Sequence, residues 1–322
     1  MQDNKVLRIS VTDRCNLRCI YCMPETGVKL LTHNELLSYE EIELIAKSAV
    51  QAGIKKFRIT GGEPLVRKGL TILIEKLARL NPLDLALTTN GLLFSDFAPE
   101  LKSAGLKRVT ISLDTLRENR FEKITRRKGL PRVLSAIRIA KKINLEPVKI
   151  NSVIIRGIND DEIIDFVQLA KDEGVEIRFI ELMPSSGIIS ECKESGIWRQ
   201  EFLVSGAEIK AQIEGHFGRL QSVPAPTGVA KIFELKNQAK IGLITPISEP
   251  FCNGCKRLRL SSEGILRLCL FDKSGINLKE EITQLNPEEN LVRIFKQVLD
   301  QKLDWRRGDI DQITNEMFRI GG

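Results

Sequence analysis

Histidine is almost missing from this 322-residue chain: His33 and His216 are the only two. Aromatic residues make up 5% of it, and no apolar run reaches the ~20 residues that would span a bilayer. The start, MQDNKVLRIS, holds no apolar stretch flanked by small residues, so no secretory signal is expected there. No block of five or more like charges occurs, although 49 Lys and Arg against 42 Asp and Glu give a net charge of +7. These absences exclude an imidazole-rich metal centre, a helical membrane anchor and a basic nucleic-acid tail. A thinly spread positive charge points instead to anionic ligands. With 42% hydrophobic and 28% charged residues, disordered, collagenous and coiled-coil readings are excluded as well. The expectation is a cytoplasmic, enzyme-sized chain with no membrane or nucleic-acid partner.

Cysteine is what the sequence does have. Six of its seven cysteines fall into two tight triplets, unlike the dispersed pairs of a disulfide-stapled secreted domain. Around them, up to about residue 182, short β-branched runs alternate with helical spacing. Strands are expected at Val6–Thr12, Lys56–Thr60, Asp84–Thr88, Arg108–Leu113, Pro147–Ile155 and Glu176–Leu182. Between the first two, Ile42, Ile45, Ala46, Ala49 and Val50 recur at helical spacing behind the capping box Ser38…Glu41. Repetition of this unit predicts an α/β fold, a parallel sheet wound right-handedly as a partial (β/α)6 TIM-like open barrel, with ligands at the strands' carboxyl ends. After Met183-Pro184 and the Gly/Ser-rich Ser185–Gly187 the rhythm changes. Closely spaced strands are expected at Val229–Leu235, Lys240–Thr245, Arg257–Leu260 and Ile265–Leu270, the last two joined by a turn at Ser261–Gly264, and an amphipathic helix at about Pro287–Lys302. Residues 1–184 thus read as the barrel and 185–322 as a smaller α+β domain.

Cys15, Cys19 and Cys22 follow the first expected strand as C-x3-C-x2-C, and Cys252, Cys255 and Cys269 lie in the second region as C-x2-C-x13-C. Three thiolates leave a four-iron cubane one ligand short, with an open iron to bind a further group. Zinc is the rival at both places, completed by His33 at the first, or by His216 or Cys192 at the second. Arg257 and Arg259 share one face of their strand by alternation, where paired guanidiniums suit phosphate oxygens.

The stretch Cys15-Asn16-Leu17-Arg18-Cys19-Ile20-Tyr21-Cys22, followed by Gly61-Gly62-Glu63-Pro64 after the second strand, resembles the paired motifs of the radical S-adenosyl-L-methionine (SAM) enzymes. Over nearly the whole chain the pattern is similar to one family among them, the GTP 3′,8-cyclases of molybdenum cofactor biosynthesis. The likeness runs through Leu7–Cys15, Cys22-Met23-Pro24, Thr88-Thr89-Asn90-Gly91, Ser112-Leu113-Asp114, Lys149-Ile150-Asn151, Met183-Pro184, Cys252-Asn253-x-Cys255-x-Arg257-x-Arg259 and a terminal Gly321-Gly322.

That resemblance implies two [4Fe–4S] clusters, the first on Cys15, Cys19 and Cys22, the second on Cys252, Cys255 and Cys269. It implies SAM contacts at Tyr21, Gly62, Ser112 and Met183, and GTP contacts at Arg8, Arg58, Thr88, Lys149, Arg178, Arg257 and Arg259. It gives Arg257, Arg259, Gly321 and Gly322 roles in catalysis, the glycines as a tail reaching the active site. The implied reaction begins at C3′ of the GTP ribose, joins C3′ to C8 of guanine, and yields (8S)-3′,8-cyclo-7,8-dihydroguanosine 5′-triphosphate, the first step of the cofactor pathway. Implied partners are GTP, an external one-electron reductant and the downstream cyclic pyranopterin monophosphate synthase; a homodimer stays open. A radical SAM peptide maturase with an auxiliary cluster is the alternative. Cys192 has no role in the resemblance.

Overall fold

The computed structural model describes residues 5–184, 200–224, 228–236, 239–272, 274–305 and 317–321; Ser185–Gly187, Cys192 and Gly322 lie outside the described residues. The strands are β1 (Val6–Ser10), β2 (Lys56–Thr60), β3 (Asp84–Thr89), β4 (Arg108–Ser112), β5 (Lys149–Ile154), β6 (Glu176–Glu181), β7 (Gln221–Val223), β8 (Lys231–Leu235), β9 (Ala239–Ile244), β10 (Arg257–Leu260), β11 (Ile265–Arg267) and β12 (Ile276–Asn277). The helices are α1 (Tyr39–Gln51), α2 (Leu70–Arg79), α3 (Phe94–Ser103), α4 (Glu118–Thr125), α5 (Leu130–Lys142), α6 (Ile163–Glu173), α7 (Gly206–Phe217), α8 (Leu278–Glu281), α9 (Pro287–Asp304) and α10 (Met317–Ile320). None is long and apolar enough to cross a membrane.

All the strands join one sheet in the order β12-β11-β10-β1-β2-β3-β4-β5-β6-β9-β8-β7. The six expected barrel strands are its middle, β1 to β6, with boundaries within two residues of the expectation at each end. Strands from beyond residue 184 extend it on both sides, β10 pairing parallel with β1 and β9 with β6. Without them β1 and β6 would present bare rows of backbone donors and acceptors. The outermost pairings, β10–β11, β11–β12, β9–β8 and β8–β7, are antiparallel.

Alternation along the parallel strands sorts the side chains cleanly. Leu7, Ile9, Phe57, Ile59, Leu85, Leu87, Val109, Ile111, Ile150, Ile177 and Phe179 share one buried core with helix residues such as Ile42, Ile45, Leu73, Leu77, Val133 and Phe166. The other face carries Arg8, Lys56, Arg58, Asp84, Arg108, Lys149, Glu176, Arg178, Arg257 and Arg259. In a flat sheet β6 and β10 would lie ~29 Å apart. The Arg178 charge nevertheless depresses the pKa of Arg257, so the sheet curls and the charged face becomes the wall of a lumen.

Helix α1 starts where expected, with Ser38 and Glu41 closing the capping box. Helix α9 lies against it, tied by Lys47 Nζ to Glu288 Oε2 at 2.9 Å. Through Leu291, Ile294 and Phe295 it buries its apolar stripe in the same core.

Candidate active site

At the carboxyl ends of the strands, the loop after β1 carries Cys15, Cys19 and Cys22, all three as free, half-buried thiols. The end of α4 holds this loop: Arg18 and Ile20 donate their N–H groups to the carbonyls of Thr125 and Ile124, each at 2.9 Å. Arg126 donates to the Arg18 carbonyl at 2.9 Å. The glycine motif closes over the other side. Gly62 N–H donates to the Thr12 carbonyl and Glu63 N–H to the Arg14 carbonyl, both at 2.8 Å. A Cβ on Gly62 would overlap the Arg14 carbonyl, so only glycine lets these two backbones run together.

Buried carboxylates fasten the same rim. Glu63 accepts from Thr89 Oγ1 at 2.8 Å, Leu65 N–H at 3.1 Å and Asn90 N–H at 2.7 Å. Asn90 Nδ2 in turn donates to Asn16 Oδ1 at 2.7 Å, inside the cysteine loop. Asp114 accepts from the Tyr21 hydroxyl at 2.6 Å and from Val153 N–H at 2.8 Å. Burial raises Glu63 to about 7 and Asp114 to about 6. Of the residues expected to meet SAM, Tyr21 and Gly62 belong to this rim, Ser112 ends β4, and Met183 follows β6 by two positions.

Burial, with the charges of neighbouring groups behind it, pushes Cys15 to about 11 and Cys22 to about 12. Cys19 rises too, through burial and then the charges of Asp114, Cys22 and Cys15. Thiols pushed up this far stay protonated near neutral pH unless a cation joins them, as in an iron–sulfur site.

The second triplet sits at the opposite end. Cys252 and Cys255 bracket a tight turn just before β10, and Cys269 follows β11, which runs back antiparallel. The hairpin therefore returns all three thiols to the amino end of the sheet, where Val6 N–H donates to the Lys256 carbonyl at 3.1 Å. Lys302 Nζ from α9 braces the segment after β11 at the Leu268 carbonyl, 2.5 Å away and next to Cys269. The rise of β1 alone separates the two triplets by ~13 Å.

Among the described residues no three His, Cys, Asp or Glu side chains converge as one metal ion requires. His33 and His216 are exposed, and His216 stacks edge-on against Phe217, so neither completes a closed zinc site. Two sets of three thiols, with no fourth ligand among the described residues, suit clusters with an open iron.

Between the triplets runs the charged wall. Register places Arg267, Arg259, Arg8 and Arg58 side by side across four strands. Burial lowers the pKa of Arg8, reinforced by Arg259, Arg257 and Arg58; Arg257 falls to about 10, through burial first. Lys149 is pressed down to about 8 by burial and Arg178, against the pull of Glu176. Thr88 lies in register with Thr110, and Thr110 with Lys149. Asn151, beside Ser112 and Arg178, has a buried Oδ1 with no hydrogen-bond partner. Such crowding of buried cations marks a place for an anion, and the orphaned acceptor beside them one for a donor such as a hydroxyl. The tail enters here as well: Gly321 lies at φ +67°, its carbonyl accepts from Arg259 Nη1, and a Cβ would overlap the Thr60 methyl. Arg108, Asp84, Glu63 and Glu176 belong to this site though no reading of the sequence gave them a role.

Comparison with known proteins agrees with this geometry. Residues 9–170 match the Radical SAM superfamily and residues 175–306 match Molybdenum Cofactor Synthesis C. In fold, the crystal structure of Streptococcus suis SuiB bound to S-adenosylmethionine superposes with a TM-score of 0.65 at 14% identity, over 95% of this chain and 77% of that one. The chain is a radical SAM protein, the class that works with SAM at an iron–sulfur cluster. More narrowly, it is 43% identical to the GTP 3′,8-cyclase of Syntrophomonas wolfei, over 98% of this chain and 97% of that one. It is 45% identical to that of Pelotomaculum thermopropionicum, over 98% and 97%. It belongs to the GTP 3′,8-cyclase family.

Proposed function

We propose that the chain converts GTP to (8S)-3′,8-cyclo-7,8-dihydroguanosine 5′-triphosphate, the first step of molybdenum cofactor biosynthesis, in a lumen with a three-thiol site at each end. One observation carries the reading: the cation-lined wall lies between two three-thiol sets, so a single anionic substrate can face both. Cys15, Cys19 and Cys22 would hold one [4Fe–4S] cluster and Cys252, Cys255 and Cys269 a second. Bound there, the clusters would supply the electron that cleaves SAM to a hydrogen-abstracting radical at one end and an open iron for the purine at the other.

The chain's own residues place and shield the substrate. Tyr21, Gly62, Ser112 and Met183 line the rim at which SAM would lie. Arg8, Arg58, Thr88, Lys149, Arg178, Arg257 and Arg259 offer charge and donors to a triphosphate, the arginines in bidentate fashion. Gly321, held by Arg259, brings the tail against the lumen without filling it. Fixing the ribose C3′ near guanine C8 is the orientational share of the rate. The reaction draws on an external one-electron donor in the cytoplasm and hands its product to the synthase that follows.

Substituting Cys252 by Ser tests the reading. Anaerobically reconstituted parental protein should hold about eight irons and form 5′-deoxyadenosine with cyclised nucleotide. Cys252→Ser should keep reductive SAM cleavage while losing the nucleotide product, whereas Cys15→Ser loses both. Cyclisation at the parental rate in Cys252→Ser would refute the division of labour.

A further inference from the structure

Granted that the lumen takes GTP, two carboxylates on its wall stand out, since an anion near a triphosphate opposes binding. Asp84 opens β3 and receives Arg58 Nη2 on Oδ2 at 2.5 Å, Arg108 Nε on Oδ1 at 2.8 Å, and Arg108 Nη2 on Oδ2. Glu176 opens β6 and receives Lys149 Nζ at 2.7 Å and Arg178 Nε at 2.5 Å, one on each oxygen. Each acid thus gathers two cations: Arg58 of β2 and Arg108 of β4 about Asp84, Lys149 of β5 and Arg178 of its own strand about Glu176. The six side chains are at most 16% exposed, so water does little to screen them.

Long cationic side chains carry the largest rotamer entropy, and buried like charges repel. Unbridged, Arg58 and Arg108, or Lys149 and Arg178, would splay apart. We propose that Asp84 and Glu176 are positioning residues, each carboxylate locking one pair of cations in the orientation that receives the triphosphate. Arg108 is thereby fixed on the same wall as a further phosphate-facing donor.

Two mechanisms predict opposite signs. If the acids merely dilute the positive field, removing their charge tightens anion binding; if they orient the cations, it weakens it. Inorganic tripolyphosphate, which lacks the base and so bypasses the second thiol site, is the probe. Its affinity is measured by calorimetry on reconstituted parental protein, Asp84→Asn, Glu176→Gln and Asp84→Glu, with surface Glu173→Gln, partner of Arg138 and Lys141, as control. Both carboxamide variants should bind ~10-fold more weakly or worse. Their GTP KM should rise in step with kcat little changed, and GTP-independent SAM cleavage should stay parental. Asp84→Glu should regain part of the loss, and the control should not move. Should Asp84→Asn not fold, Glu176→Gln decides alone. Equal or tighter binding in the carboxamide variants overturns the proposal. A parental protein that binds neither tripolyphosphate nor GTP would instead bring down the GTP reading beneath it.

Discussion

Gly321 shows how much one residue near the end of a chain can decide. Its carbonyl is held by Arg259, and its positive φ and contact with Thr60 leave no room for a side chain. An alanine there must lift the tail off the wall, moving Arg259 with it. Gly321→Ala is expected to cut cyclised product ~10–100-fold, the usual cost of a misplaced substrate, while 5′-deoxyadenosine formed without GTP stays at the parental level; unchanged cyclisation would show that the tail is ornamental. At this scale, the six cysteines and the pair Arg257 and Arg259 could be read from spacing and alternation, because each lies in a local pattern, whereas the paired glycines, Arg8 and Arg58 were singled out by the family resemblance. Asp84, Arg108 and Glu176 could not: an ion pair such as Arg58–Asp84 joins neighbouring strands, and its existence depends on register, which no single strand encodes. Glu63 and Asp114 were visible within motifs, but their task as acceptors for the rim emerges only once Asn90 and Tyr21 are brought to them.

Among the elements, legibility follows the range of the interaction. The β1–β6 run and α1 are announced by β-branched stretches, helical spacing and a capping box. Helix α7 carries the same Ser-x-x-Glu signal at Ser205 and Glu208, which was there to be used. The placing of β9 beside β6 and β10 beside β1 left no mark in the sequence, since parallel partners come from distant segments and any buried strand edge accepts a suitable apolar strand. Helix α9 connects this late part of the chain to the early one. It packs on α1 and sends Lys302 to the Leu268 carbonyl next to Cys269. Phe295 of α9, fully buried in the common core, should on truncation to alanine cost ~3–5 kcal/mol. Urea unfolding should register that loss, and Phe295→Ala should also release iron faster from the Cys252–Cys269 site than from the Cys15–Cys22 site under a chelator. Equal release from both would mean that α9 braces nothing in particular.

For the molecule as a whole, the lumen trades stability for affinity. Gathering Arg8, Arg58, Lys149, Arg178, Arg257 and Arg259 around one cavity costs stability that Asp84 and Glu176 offset only in part, and Lys149 makes that cost measurable. Its pKa in the folded protein is about 8, below the ordinary 10.5, through burial first and Arg178 next. A lysine shifted in this direction weakens the fold wherever native and unfolded chains both carry its charge. The penalty is therefore complete below pH 8 and fades as the pH rises from about 8 toward the ordinary lysine value, where the unfolded chain binds the proton that the native one has released. Replacement by methionine removes the penalty but also deprives Glu176 of its 2.7 Å partner, so the pH dependence isolates the amine: relative to the substrate-free Lys149→Met variant, the parent should gain up to ~3 kcal/mol of stability as the pH rises from 7. That gain should accrue between pH 8 and pH 10. Binding runs the other way. The phosphates favour the protonated amine, so parental affinity for GTP should decline above pH 8 while that of Lys149→Met, weaker throughout, stays nearly flat. Chemical denaturation and GTP titration across the same pH range check both limbs. A stability difference that ignores pH would show that the buried amine carries no such penalty, and a parental GTP affinity that ignores pH between 7 and 9 would show that the amine does not face the anion.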